Sequence, residues 1–307
     1  MPVVLAYVVC ALVWGTTWFA IRVTIIGEGA YPTFESAALR FTIAAALLLL
    51  IAWAGLARPG PRARAQWVWL SIAGALNALG YGLVYKGEET VSGGLAAVLF
   101  GTMPLFTAVI ATWTRTERIE RHTILGALVA LAGICVVFWD RLSVSPEQAL
   151  GLATVLLAVA VCAGYSVILK REQREDIHPL AANGVFLTVT AVVLWLFCAA
   201  RGVEPIPWPP PVEPTIALVY LGVFGSVLVF AAYIYLLKRT SLMTTMTLVF
   251  IQPTIALFVD ALWEQEVRLV ARTYVGCAIT LSGVFISIRL WPHVARLAAR
   301  ARRAEPS

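Results

Sequence analysis

The side chains that could bind a solute are aromatic and polar residues set at helical spacing within apolar segments. In the segment 67–85, Asn77, Tyr81 and Tyr85 recur every four residues, which places them on one face of a helix. Aromatic rings can enclose a solute while a few polar groups fix its orientation, so we predict a binding cavity for an amphipathic small molecule. The candidate lining residues are Trp14, Thr17, Trp18, Asn77, Tyr81, Tyr85, Met103, Tyr165, Phe230, Tyr233 and Gln252. Residues of these types also pack helices together, and that alternative stays open for each of them.

Ionisable side chains inside apolar segments are candidates for function, because a charge there is costly unless it faces a cavity or a partner. Arg22 and Asp260 lie near the ends of their segments, so their side chains can extend to the interface. For Asp260, extension or structural pairing is favoured. Arg40 lies deeper, roughly 10 Å below the outer end of its segment at about 1.5 Å per residue. Arg40 could recognise a carboxylate of a solute or pair with Glu35 or Asp260, and the structural role is slightly favoured.

Motifs of nucleophilic, zinc and ATP chemistry are missing from the sequence. It contains no GxSxG, HExxH or GxxxxGK[ST] pattern. The five cysteines all lie in apolar runs without CxxC or Cys/His spacing, which predicts neither a metal site nor a disulfide framework. The sequence therefore predicts no enzyme, no metal, no cofactor and no ATP-driven machine.

The elements that must hold the candidate residues are helices that span a membrane. Of the 307 residues, 60% are hydrophobic and 13% are charged, against about 45–50% and 25% in an average soluble domain. A spanning helix needs about 20 apolar residues, so the chain has room for ten spans and little else. The predicted fold is an all-α integral membrane protein whose ten transmembrane helices cover residues 3–26, 33–55, 67–85, 92–114, 122–140, 148–169, 180–200, 215–237, 242–263 and 270–290.

The distribution of Lys and Arg predicts the orientation of these spans. With a cytoplasmic N-terminus, the inner segments hold 16 of these residues and the outer segments hold 5. This bias places both termini in the cytoplasm. The net charge of +6 therefore indicates loop orientation and predicts no nucleic-acid partner. The basic tail 291–307 is expected on the anionic inner leaflet, with a solvated tail as the alternative.

The two halves of the sequence resemble each other at an offset of about 149 residues. This offset aligns Ser92 with Ser241 and Pro104 with Pro253, and it also aligns Glu117 with Glu266. Because each half has five spans, the second copy must enter the membrane with opposite polarity, which predicts an inverted repeat around a central cavity. The predicted repeats are 3–140 and 148–290.

Pro104 and Pro253 are expected to act as a pair of hinges. Each would remove a backbone hydrogen bond in the middle of its span and soften the helix there. Bending at both sites could close one mouth of the cavity while the other opens. The alternative is a pair of static kinks that only shape the cavity.

Several segments together resemble the EamA type of the drug/metabolite transporter superfamily. The resemblance rests on ALVWGTTWFAIR in the first span, ALRF in the second and the run GLAAVLFGTMPLF in the fourth, and it covers about residues 5–290. It implies two five-helix halves around a central cavity, as in the ten-helix metabolite exporters, a group that includes bacterial exporters of aromatic and other amino acids. One departure is that Gly normally precedes the Glu of each half, whereas Thr116 and Gln265 stand there.

These observations predict a secondary transporter of the inner membrane that exports small metabolites. The resemblance implies amino acids, including aromatic ones, which would move by alternating access through a midplane site. With Asp260 as the sole carboxylate well inside a predicted span, facilitated transport or exchange is favoured over proton antiport. A proton-coupled exporter of drugs or other metabolites and a non-transporting sensor or scaffold are the alternatives. The expected partners are a small-molecule substrate and the lipid bilayer, and the oligomeric state is left open.

Overall fold

The computed structural model of the chain describes residues 2–55, 64–117, 120–137, 146–172, 178–263 and 271–287. The predicted tail 291–307, Glu266 and the side chain of Asp260 lie outside the described residues. Within the described ranges all regular structure is helical. Seven helical segments there are long and apolar enough to cross a membrane, and three shorter apolar helices accompany them. The prediction of an all-α protein with ten membrane helices is confirmed.

Helices that cross a bilayer must satisfy their own backbone hydrogen bonds, and most predicted spans form one continuous helix. Spans 4, 8 and 9 are instead interrupted: span 4 forms two helices, span 8 contains a π-helical segment, and span 9 begins with a short helix. The elements are α1 Val3–Ile25, α2 Thr33–Trp53, α3 Arg64–Glu88, α4 Gly93–Phe100, α5 Met103–Trp113, α6 Arg121–Val137, α7 Pro146–Arg171, α8 Pro179–Arg201, α9 Val212–Gly222, the π segment Val223–Leu228, α10 Val229–Arg239, α11 Leu242–Met246, α12 Leu248–Trp263 and α13 Ala271–Ser287.

Two serines begin equivalent helices in the two halves. The Ser92 side chain accepts a hydrogen bond from the Leu95 backbone N–H at the start of α4, and Ser241 accepts one from Thr244 at the start of α11. A serine at the N-cap stabilises a helix because it satisfies a backbone donor that has no acceptor inside the helix. The two serines are separated by the predicted repeat offset. Equivalent helices in the two halves therefore begin with the same type of N-cap.

The contacts between helices show the relation between the two halves. Helix α2 packs on α8, and α6 packs on α13, so equivalent spans of the two halves meet each other. Helix α3 packs on α7, while its counterparts α9 and α10 pack on α1. Likewise α1 packs on α12, and α7 packs on α4 and α5. If the two halves are exchanged, each of these helix pairs becomes another pair that is also in contact. A pseudo-two-fold axis between the halves requires this.

Helices α6 and α13 approach each other closely along a seam of glycines. The seam contains Gly126 and Gly133 on α6 and Gly276 and Gly283 on α13. A Cβ atom at Gly133 would lie 2.4 Å from the backbone nitrogen of Thr280, and one at Gly283 would lie 2.3 Å from that of Ala130. Small residues let membrane helices come this near, where van der Waals contact between backbones replaces the missing hydrophobic driving force.

The fourth span breaks before its proline rather than at it. Helix α4 ends at Phe100, and Pro104 lies in the first turn of α5, where the helix does not need the N–H group that proline lacks. The interruption falls at Gly101 and Thr102, in the turn that precedes the proline. Pro253 does lie inside a helix, α12. The hinge role of both residues stays a prediction.

Candidate functional site

A central cavity lies between side chains from both halves of the molecule. Its volume is about 60 Å³ when measured as the space open to the centre of a water molecule, within about 610 Å³ of unfilled space that includes the open mouth. Eight of the eleven predicted lining residues surround it: Trp14, Thr17, Trp18, Tyr81, Met103, Tyr165, Tyr233 and Gln252. The wall is completed by residues that the sequence analysis did not select: Ile21, Val84, Phe100, Cys162, Thr245, Met246, Leu248 and Val249.

Aromatic rings from different helices support one another on one side of the cavity. The ring of Trp14 on α1 meets that of Tyr233 on α10 at 5.1 Å and that of Phe230 at 5.5 Å, both edge to face. The ring of Tyr81 on α3 lies 6.2 Å from that of Phe230. Such tilted contacts stabilise aromatic pairs beyond the burial of their surface. The wall can therefore keep a fixed shape against a flat apolar solute.

Few polar groups reach the cavity. The indole N–H groups of Trp14 and Trp18 are buried and donate to no acceptor among the described residues. Gln252 is 4% exposed and makes no side-chain hydrogen bond within that part of the chain. The Thr17 hydroxyl, by contrast, already donates to the Trp14 carbonyl at 2.8 Å. The Tyr233 hydroxyl is likewise buried without a hydrogen-bond partner among the described residues. Because buried polar groups are normally paired, the two indoles, the amide and this hydroxyl are the groups that a solute can satisfy.

Three predicted lining residues do not line the cavity. The side chain of Asn77 is fully buried and donates to the Thr190 hydroxyl at 3.1 Å, which connects α3 to α8. Phe230 is fully buried behind the rings of Trp14 and Tyr233. Tyr85 is also fully buried and interacts with Arg40. The structure thus places these three behind the cavity wall.

Arg40 is fully buried and is held by span 8. Its Nε atom donates to the Ser226 hydroxyl at 3.0 Å, and its Nη2 atom donates to the Gly225 carbonyl at 2.9 Å. Its guanidinium carbon lies 4.7 Å from the centre of the Tyr81 ring. A cation over an aromatic face is attracted by the negative charge density of the ring. Arg40 is not among the residues that line the cavity.

The alternative in which Arg40 pairs with Glu35 is wrong. The Glu35 carboxylate contacts Arg201 instead, with 2.6 Å between Oε2 and Nη2, and it accepts a hydrogen bond from the Glu204 backbone at 3.1 Å. Side chains five positions apart on an α-helix point about 140° apart, which directs Glu35 and Arg40 to different neighbours. Glu35 thereby connects the start of α2 to the end of α8.

A second buried acidic residue near Arg40 escaped the sequence analysis. Glu88 is 1% exposed, and its carboxylate interacts with the charge of Arg40. The sequence analysis ended the third span at residue 85, whereas α3 continues to Glu88. Asp260 is therefore not the sole acidic candidate within the spans. Charged residues as close together as Lys86, Glu88 and Glu89 are typical of a loop. The sequence analysis therefore did not place Glu88 inside a span.

At the other end of the bundle, two charged side chains bind backbone groups of span 8 and span 9. The Lys170 ammonium donates to the carbonyls of Leu237 and Thr240 at 2.7 and 2.6 Å, where α10 ends. The Glu117 carboxylate accepts a hydrogen bond from Leu242 at the start of α11, at 2.9 Å. A cation at a helix C-terminus and an anion at an N-terminus both match the helix dipole. Glu117 thus connects span 4 to span 9, and Lys170 connects span 6 to span 8.

The described residues contain no group of three or more His, Cys, Asp or Glu side chains that could hold a metal ion. Two five-helix repeats around a cavity between the halves are instead the architecture of a membrane transporter. The model of the EamA-like transporter family matches residues 1–139 and again residues 149–289. The chain therefore belongs to the EamA-like transporter family.

Similar proteins carry transporter names. A probable terminal-alkyne amino-acid exporter of Streptantibioticus cattleyicolor is 29% identical over 92% of this chain and 91% of its own length. An uncharacterized inner membrane transporter of Escherichia coli K12, YedA, is 28% identical over 80% of this chain and 77% of its own length. One solved crystal structure shares the fold at a TM-score of 0.72 and 22% identity, covering 94% of this chain and 97% of that one. The chain is a multi-pass membrane transporter.

Proposed function

We propose that the protein is a secondary exporter of small, partly hydrophobic metabolites, with amino acids that include aromatic ones as its substrates. The observation that carries the proposal is the cavity itself, whose aromatic walls come from both halves and whose free polar groups are few. The name of the Streptantibioticus cattleyicolor relative, an amino-acid exporter, supports the same substrate class.

The character of the cavity wall favours a solute without net charge. None of the described residues that line the cavity carries a charged side chain. A solute with net charge would lose its hydration without gaining a counter-ion, which costs several kcal/mol as an order of magnitude. A zwitterionic amino acid has no net charge, and its ring or aliphatic side chain fits the aromatic walls. The indoles of Trp14 and Trp18 and the amide of Gln252 would orient its polar end.

Transport would follow from the pseudo-two-fold relation of the halves. In an inverted repeat, two conformations related by exchange of the halves open one midplane site to opposite sides of the membrane. The termini would lie in the cytoplasm, and Pro104 and Pro253 would mark the segments that bend. The protein would act without ATP.

Proton-coupled export is a second candidate, because Glu88 is a buried carboxylate whose charge interacts with that of Arg40. Ionisable groups inside a membrane protein often form proton relays. In this alternative, Glu88 would take up a proton in one conformation and release it in the other.

The test is efflux of labelled amino acids from proteoliposomes, with and without a pH gradient. We would compare the wild type with Tyr81→Ala and Gln252→Ala, and use Tyr274→Ala as the matched control because Tyr274 is 60% exposed on the outer surface of the bundle. Flux without a gradient that falls in both cavity variants and stays unchanged in the control supports the facilitative exporter. Flux only with the gradient supports the proton-coupled alternative. No flux of any amino acid would refute the proposed substrate class.

A further inference from the structure

The π-helical segment of span 8 changes the direction in which the following residues point. It covers Val223–Leu228, directly before α10. Within it the Ser226 hydroxyl donates to the Leu221 carbonyl, five residues back, at 2.9 Å. A π turn holds one residue more than an α turn, so it rotates the helix that follows and disturbs the regular pairing of nearby carbonyls. The face that α10 presents therefore depends on this segment.

Side chains from the two flanking helices bind the carbonyls of the π segment. Arg40 of α2 donates to the carbonyl of Gly225 and to the hydroxyl of Ser226. Asn183 of α8 donates to the carbonyl of Val227 at 3.1 Å. The side chains of Arg40, Asn183 and Ser226 are all fully buried. We call these five residues, Arg40, Asn183, Gly225, Ser226 and Val227, the π clamp.

Two glycines allow α1 and α2 to lie close to span 8, which lets the clamp form. A Cβ atom at Gly222 would lie 2.7 Å from Cγ2 of Ile43, and one at Gly225 would lie 3.0 Å from Cγ2 of Thr17. Side chains at these positions would hold α2 and α1 away from span 8. The glycines therefore bring Arg40 within hydrogen-bond distance of the π segment.

The clamp is connected to two aromatic residues of the cavity wall. On one side, the Arg40 guanidinium lies over the ring of Tyr81, which lines the cavity. On the other side, α10 begins directly after the clamp and carries Tyr233, which meets the ring of Trp14. Moving the clamp would thus change the positions of Tyr81 and Tyr233 relative to each other.

We infer that Arg40 is a positioning residue for solute selection, which holds Tyr81 directly and Tyr233 through the π clamp without contacting the solute. This inference rests on the proposed function of the cavity. It differs from recognition of a solute carboxylate by Arg40, because a positioning residue affects solutes with and without that carboxylate alike. A buried cation is costly in a membrane protein, and here its Nε and Nη2 atoms donate to the π segment that precedes α10.

The first experiment needs no transport assay: it records the ¹⁹F NMR signals of the cavity-wall tyrosines in protein labelled with 3-fluorotyrosine. The signals of Tyr81 and Tyr233 are assigned by Tyr→Phe variants. In Ser226→Ala and Arg40→Lys we expect both signals to shift or broaden. Ser282→Ala is the matched control, because this exposed serine donates to the carbonyl four residues back in α13, and it should leave both signals unchanged. An unchanged Tyr233 signal in Ser226→Ala would overturn the inference, and this variant serves even where Arg40→Lys does not fold.

The second experiment measures efflux of tyrosine and of N-acetyltyrosinamide, an uncharged analogue that lacks the carboxylate. In Ser226→Ala we expect the half-saturating concentrations of both solutes to rise by the same factor, about threefold to tenfold, as the loss of one hydrogen bond of typical net strength would give. The maximal rates should stay within about twofold. A loss confined to tyrosine in Arg40→Lys would overturn the inference in favour of carboxylate recognition. If the wild type moves neither solute, the proposed substrate class fails, and the NMR result alone decides the role of Arg40.

Discussion

Substitution of Gly133 by alanine tests whether the glycine seam between α6 and α13 holds the two repeats together. The new Cβ atom would lie 2.4 Å from the Thr280 nitrogen and 2.7 Å from the Gly276 carbonyl oxygen. Carbon atoms normally keep about 3.5–4.0 Å from such neighbours. Both neighbours are backbone atoms of a helix, so relief requires the helices to separate by about 1 Å.

The expected loss follows from two opposing terms. Overpacking of this kind costs about 1–3 kcal/mol of unfolding free energy. Alanine also gains about 1 kcal/mol over glycine as a helix former. Gly164→Ala is the matched control, because a Cβ atom at Gly164 of α7 would meet nothing within 4 Å. The helix-forming gain is common to both variants, so their difference isolates the contact and should be about 1–3 kcal/mol.

The assay is thermal unfolding of the purified variants in one detergent. Gly133→Ala should unfold several degrees below Gly164→Ala, and Gly283→Ala should behave like Gly133→Ala because its Cβ atom would lie 2.3 Å from the Ala130 nitrogen. Equal unfolding temperatures for Gly133→Ala and Gly164→Ala would refute the close packing of the seam and the argument built on it.

Three further predictions concern charged contacts and topology. Lys170→Met should lower the free energy of unfolding by about 1–3 kcal/mol, because two carbonyls at the end of α10 lose their donor; thermal unfolding against Lys170→Arg checks this. Glu35→Gln removes the pair with Arg201, and a double-mutant cycle of these two residues should give a coupling of about 0.5–3 kcal/mol, whereas zero coupling contradicts a stabilising pair. In a background without the native cysteines, an impermeant maleimide added outside intact cells should label Trp208→Cys and not Ala54→Cys, both exposed positions; the reverse pattern contradicts cytoplasmic termini.

The helices could be predicted from the sequence because their formation depends on residues close together in the chain. A bilayer requires each span to satisfy its own backbone, so a run of about 20 apolar residues identifies a helix. The caps at Ser92 and Ser241 are local in the same sense. The sequence places an interruption of the fourth span near Pro104, but proline can lie inside a kinked helix or in the first turn of a new one. The sequence alone does not distinguish the two positions.

The cavity was predicted in part, and the residues behind its wall show why. Helical spacing correctly puts Asn77, Tyr81 and Tyr85 near one face of α3, but one face of a long helix contacts several different helices. Tyr81 lines the cavity, whereas Asn77 one turn earlier meets Thr190 and Tyr85 one turn later interacts with Arg40. Periodicity gives the direction of a side chain and does not say which helix stands there.

By itself, the sequence determined that the chain spans a membrane with ten helices in two related halves, and that a buried arginine in the second span needs partners. Only the tertiary structure decided that Gly225 and Ser226 of a π segment hold Arg40, and that Arg201 pairs with Glu35. The physical reason is that helix formation depends on local hydrogen bonds and hydropathy. The choice of a buried charge's partner depends on distances between residues far apart in the chain, which are set when the helices pack.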